Sequence, residues 1–190
     1  MKYLNAVSYK DCVGKVCKKI KTKNFKIVKY NDAHNVEIRF LKTGFEITVE
    51  LGNIRNGRVK DPYLASVFGV GVVGTKYPSE VNRVKTKEYV LWTHMLRRCY
   101  SDTYKKKYPT YEGCKVSENF NYYEYFYDWC HKQTGFGNNG WHLDKDLLVK
   151  GNKVYSEDSC VFVPTEINLL LTKRTTSRGE HLIGVHWCNT

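Results

Sequence analysis

Alternation of apolar and polar residues between positions 25 and 51 constrains this chain's fold more than any other feature. Phe25-Lys-Ile-Val-Lys-Tyr30, Val36-Glu-Ile-Arg-Phe40 and Phe45-Glu-Ile-Thr-Val-Glu-Leu51 each repeat with a period of two, the period of a half-buried strand. Asn31-Asp32 and Thr43-Gly44 supply turn chemistry between them. The pattern predicts a short antiparallel sheet with Val36, Ile38 and Phe40 on one face and Glu37 and Arg39 on the other. Asn53-Ile-Arg-Asn-Gly57 is predicted to end it as a turn.

Residues 61–80 read as a structured loop. Pro62, Gly69, Gly71, Gly74 and Pro78 break any regular period, while Val67, Phe68, Val70, Val72 and Val73 ask for burial. No helix directly follows Gly69-Val-Gly71, so it does not read as a nucleotide-binding loop. The period then becomes helical. Thr86 is placed to cap a helix in which Trp92, Met95, Leu96, Cys99 and Tyr100 recur at i, i+3, i+4, i+7 and i+8. A second helix, opening at Ser117 or Asn119, carries Phe120, Tyr123, Phe126, Tyr127, Trp129 and Cys130, an aromatic set that reads as core. Lys105-Lys-Lys-Tyr-Pro109 reads as an exposed basic loop, and the stretch Gly135–Gly140 as a hinge. The expected class is α+β. The expected domains are a basic β-rich one over 1–80 and a helical one over 81–190, the latter ending in a strand–strand–helix unit.

Charge decides what such a chain meets. Lys and Arg number 31 against 19 Asp and Glu, a formal net charge of +12. Clustered cations attract polyanions by releasing counterions, which points to nucleic acid. Eight lysines fall within residues 10–29, among them Lys18, Lys19 and Lys21. Arg97 and Arg98 leave the apolar stripe of their helix, and Lys105 and Lys106 stand in the basic loop. With Lys173, Arg174 and Arg178 these are the candidate nucleic-acid contacts. No apolar run approaches the roughly 18–20 residues that span a bilayer, and Met1–Ser8 lacks a signal-peptide pattern. A protein inside the cell, with no membrane partner, is expected. Seven cysteines without a Cys-x-x-Cys pair read as reduced, mostly buried thiols. Cys114, Cys130 and His131 are the remaining candidates for a zinc site.

Residues 141–172 carry the chemistry. A strand over His142–Leu147 leads to a Gly151-Asn152 turn, a second strand returns over Ser159–Val163, and Pro164 is placed to open a helix. Asp144 on the first strand and Asn168 on the helix can then converge on one oxygen-preferring cation. Magnesium needs only one or two protein oxygens and completes its shell with water and phosphate. Positions 142 and 144, two apart on a strand, share a face.

The segment resembles the HNH, or His-Me finger, nuclease unit of phage homing endonucleases. The match places Asp144 at the metal-binding aspartate, Ser159-Cys-Val-Phe-Val163 at the second strand and Asn168 at the metal-binding position of the helix. The resemblance implies a metal-dependent DNA endonuclease with a ββα-metal fold, using Mg²⁺ or Mn²⁺ on double-stranded DNA. Two positions depart from the family. Its general base follows the aspartate, where this chain has Lys145, and its central asparagine falls on Ser159 or Asp158. Lys145 is then a candidate to hold the scissile phosphate, and His142 a replacement base.

Gly57-Arg-Val-Lys-Asp-Pro-Tyr63, Val67-Phe-Gly-Val-Gly71, Trp92-Thr-His-Met-Leu-Arg-Arg-Cys-Tyr100, Leu143-Asp-Lys-Asp146 and Gly151-Asn-Lys-Val-Tyr-Ser156 also resemble a group of phage and prophage proteins. That likeness implies a host cytoplasmic location. In such proteins a module resembling the plant AP2 domain often follows, and Gly179–Trp187 resembles its first strand. The chain stops at Thr190, which leaves that module missing or truncated. Three readings follow: a metal-dependent endonuclease with His142, Asp144, Lys145 and Asn168 as its site, a non-catalytic DNA-binding or inhibitory phage protein, and a factor that acts on a host protein.

Overall fold

A computed structural model describes Val13 and residues 24–171 of the chain. The chain divides into two compact units. Of the described residues, the first holds those up to Pro78 together with Tyr122–Glu124, and the second holds residues 79–121 and 125–171.

In the first unit, β1 (Phe25–Tyr30), β2 (Val36–Phe40) and β3 (Glu46–Val49) form an antiparallel sheet in chain order. The period of two is what builds it. Phe25, Ile27, Val36, Ile38 and Phe40 are buried, while Glu37 and Arg39 take the other face and pair with Lys29 and Glu46. The turn expected over Asn53–Gly57 is a turn only at its last two residues, and Leu51–Arg55 form a short helix, α1, whose Leu51 and Ile54 close the core of this sheet. Burial of that apolar pair outweighs the weak helix preference of Gly52 and Asn53.

Residues 61–78 run without a regular element, as expected, and Glu124 fastens their end. Its Oε1 accepts the backbone N–H of Thr75 and of Lys76, each at 2.6 Å. Gly74, at φ +75°, packs so closely under that carboxylate that a Cβ would stand 2.2 Å from it. Phe68 departs from the expectation of burial. It is exposed, with φ +52°, at the tip of a tight turn closed between Val67 and Gly71.

The second unit opens with the two-stranded ribbon β4 (Glu80–Val81) and β5 (Val84–Lys85) and continues into α2 (Lys87–Tyr100). The Thr86 hydroxyl caps α2 by accepting the Tyr89 N–H, and Trp92, Met95, Leu96 and Cys99 are buried along the stripe that the sequence marks out. The expected basic loop after it is a helix, α3 (Asp102–Lys107). Ser101 caps this helix from the Tyr104 N–H, and its last turn of three lysines suits the negative end of the dipole. A parallel pair, β6 (Lys115–Val116) with β8 (Val154–Tyr155), and the helix α4 (Tyr123–Lys132) complete the frame. Trp92 Nε1 donates to the Phe120 carbonyl at 2.7 Å, and Phe120 meets Phe126 and Trp129 with ring centroids 5.2 and 4.9 Å apart. The aromatic set around residues 120–130 is core, as its periodicity indicates.

The last elements are β7 (Trp141–Asp144), β9 (Val161–Pro164) and α5 (Thr165–Leu171). β7 and β9 are antiparallel with Leu143 opposite Phe162, and both of these are buried. Phe162 packs on Trp129 at 5.9 Å, which seats the strand pair on α4. Pro164 ends β9 instead of opening the helix, and the helix begins one residue later. Thr165 donates from both its N–H and its hydroxyl to the Gly140 carbonyl, at 2.7 and 2.5 Å. The start of β7 is thereby bolted to the start of α5. Among the described residues no helix is long and apolar enough to cross a membrane.

Candidate functional site

Parity along β7 sets the site. Leu143 points into the core opposite Phe162, so His142 and Asp144 fall on the other face, opposite Val163 and Val161. His142 is exposed and Asp144 half-buried. The strand stops at Asp144, three residues short of the expected Leu147. The reason is the carboxylate itself, whose Oδ1 accepts the N–H of Asp146 and of Leu147, each at 2.7 Å. This bends the chain out of the strand and fixes the carboxylate. The helix that carries Asn168 lies against both strands.

Lys145 turns away from His142 and Asp144. Its side chain is 8 % exposed, and its Nζ donates to both oxygens of Asp146 (2.6 and 2.7 Å) and to the Asn152 carbonyl (2.5 Å). All three ammonium protons are thus engaged, and the Tyr155 ring lies 5.7 Å from Nζ. In this position the group braces the β7–β8 loop and has no donor left for a phosphate.

Asn152 is the residue that the sequence reading missed. Its Nδ2 donates to the carbonyls of Lys145 (2.9 Å) and Val154 (2.6 Å), and its Oδ1 accepts the Val154 N–H at 2.9 Å. It spans the loop from the end of β7 to the start of β8. Ser159, one of the two positions (with Asp158) where the resemblance puts the central asparagine, is buried and donates to the same Val154 carbonyl at 2.8 Å. The pinning is therefore shared between two side chains, and the turn dipeptide Gly151-Asn152 is the signal that marks one of them.

The carboxylate of Asp144 and the carboxamide of Asn168 are hard oxygen donors, the chemistry that Mg²⁺ or Mn²⁺ prefers. Both bonds of the turn fall on one oxygen of Asp144, its Oδ1. Among the described residues no group of three or more His, Cys, Asp and Glu could hold a metal ion, so a zinc site built from Cys114, Cys130 and His131 does not form. Cys130 is buried, and His131 bonds Glu88 at 2.9 Å. Burial, with the nearby Asp144 carboxylate adding to it, pushes the Cys160 thiol up to about 12, so it stays protonated beside the site.

The candidate nucleic-acid contacts separate by environment. Arg98 is largely enclosed, with Nη1 3.5 Å from the Tyr155 hydroxyl and its guanidinium over the Tyr111 ring at 5.6 Å. Arg97 lies over the Tyr104 ring at 4.8 Å with its Nε buried. Lys105 pairs with Asp102 at 3.4 Å, and Lys106 is exposed. Lys18, Lys19, Lys21, Lys173, Arg174 and Arg178 lie outside the described residues. Comparison with protein-family models, curated proteins and solved structures found no match.

Proposed function

We propose that the protein binds double-stranded DNA and hydrolyses its phosphodiester backbone at the face of β7 that carries His142 and Asp144. One observation supports this above the others. The Asp144 carboxylate is fixed by two backbone N–H groups on the same strand face as an exposed imidazole. A fixed carboxylate beside a base is what hydrolysis of a phosphodiester needs, because both groups act without reorganising.

His142 is the general base in this reading, since an imidazole lone pair can accept a proton from water. The Lys145 amine is spent on three acceptors. Asp144 and Asn168 would hold a divalent cation, which when bound neutralises charge that develops on the phosphate. Exposed lysines such as Lys106 hold the backbone through sequence-independent contacts.

Nicking of supercoiled plasmid in Mg²⁺ or Mn²⁺ tests this. His142→Ala should lower the rate by about 10²–10⁴-fold, the usual contribution of a general base. Asp144→Asn keeps an oxygen for the turn and removes the charge, so the fold should persist while nicking is lost. Nicking that survives both substitutions would sink the assignment. The placement of Lys145 favours a second reading, a DNA-binding protein without cleavage. That reading holds if the wild type shifts DNA in a gel and never nicks it in either metal.

A further inference from the structure

The β4–β5 ribbon takes no part in the site above, and its geometry is unusual for its sequence. Glu80 pairs with Lys85 and Val81 with Val84, so the turn between them is Asn82-Arg83. Both turn residues have positive φ, +50° and +65°. Tight two-residue hairpin turns of this kind favour glycine at the second position, and a bulky side chain there strains the backbone. Arg83 occupies that position and is exposed.

The two faces of the ribbon differ. Val81 and Val84 sit directly opposite each other and so project to one side, where they are 52 % and 69 % exposed. The neighbouring pair projects to the other side, where Glu80 and Lys85 form an ion pair at 3.0 Å. Lys85 Nζ also lies 5.1 Å from the ring of Tyr89 on α2. At the base of the ribbon, the Thr86 N–H donates to the Ser79 carbonyl at 3.1 Å, and Thr86 caps α2. The polar face is thus tied to a long helix, and the valine face and the arginine tip are held outward.

We propose that this ribbon enters the major groove of duplex DNA, with Arg83 at base edges and Val81 and Val84 against thymine methyl groups. The proposal rests on the reading of the protein as DNA-binding and does not require cleavage. Two strands about 4.8 Å apart, with side chains, fit a groove about 12 Å wide. Charge agrees, because Arg83 and Lys87 add to a chain of net charge +12 while the only acid of the ribbon is already paired. A protein partner fits less well, because valine is under-represented among the side chains that anchor protein interfaces.

Fluorescence anisotropy of a labelled mixed-sequence duplex, run beside the same duplex with uracil for thymine, tests the ribbon. Arg83→Gly suits the positive φ, so its melting temperature should equal or exceed that of the wild type. Its affinity for duplex should nevertheless fall by about tenfold, the scale of one lost base contact. The wild type should bind the uracil duplex more weakly than the thymine duplex, and Val81→Ser with Val84→Ser, which removes the γ-methyl groups, should abolish that difference. Wild-type affinity in Arg83→Gly overturns the proposal. Failure of the wild type to bind any duplex overturns both this and the DNA-binding reading. Duplex binding that depends on Arg83 without any plasmid nicking leaves the ribbon in place and removes only cleavage.

Discussion

Asn152 shows how much one side chain can hold. It satisfies two carbonyls and one N–H across a turn of eight residues, and one of those carbonyls belongs to the lysine that follows Asp144. Truncation to alanine removes all three bonds at once and leaves half-buried backbone groups to find water. Asn152→Ala should cost about 2 kcal/mol in urea unfolding, the scale of a few unmade hydrogen bonds at a partly solvated site. Nicking should fall with it, because the bend after Asp144 loses its far anchor. An unchanged urea midpoint would show that Lys145 and Ser159 hold the loop without the Asn152 side chain.

At the level of elements, Gly135 joins α4 to β7 and is set by packing. Its φ is +86°, and a Cβ there would stand 2.1 Å from the ring of Trp141. Gly135→Ala combines backbone strain with overpacking, so it should lower stability by about 2–4 kcal/mol, read as a fall in melting temperature. A melting temperature equal to the wild type would contradict the placement of Trp141. What the sequence revealed follows from this contrast between local and distant causes. The β2 faces, the Thr86 cap and the stripe on α2 were legible because a period of two or 3.6 reports burial directly. So was the shared face of His142 and Asp144, which needs only the parity of a strand. The end of β7 was not legible, because the Asp144 carboxylate that stops it also reads as an ordinary strand residue. Helix α3 was hidden by its lysines, and α1 by Gly52 and Asn53, since capping by Ser101 and burial of Leu51 and Ile54 outweigh composition there. Asn152 was missed because Gly-Asn marks any turn, and nothing local says which carbonyls such a side chain will reach.

Across the whole molecule, the four described cysteines are free, buried and confined to the second unit. Burial pushes Cys99 and Cys160 from 9.0 up to about 12. Below pH 9 these thiols are protonated whether the chain is folded or not, and the stability they support is fully present. As pH rises above 9 the unfolded chain releases protons that the folded one retains, so unfolding becomes easier up to about pH 12. Urea midpoints should therefore be flat below pH 9 and decline above it, and Cys160→Ala should decline less steeply. A midpoint that holds steady through that range would show the thiols to be open to water.

The bracing of Lys145 bears on which side chains position 145 can accept. An imidazole has two nitrogens and cannot supply three donors to Asp146 and the Asn152 carbonyl at once. Lys145→His would leave the Asp146 carboxylate and that carbonyl partly unanswered and slacken the bend that fixes Asp144. Positions 145, 146 and 152 therefore form one bonded set, and a replacement at 145 is felt at the other two.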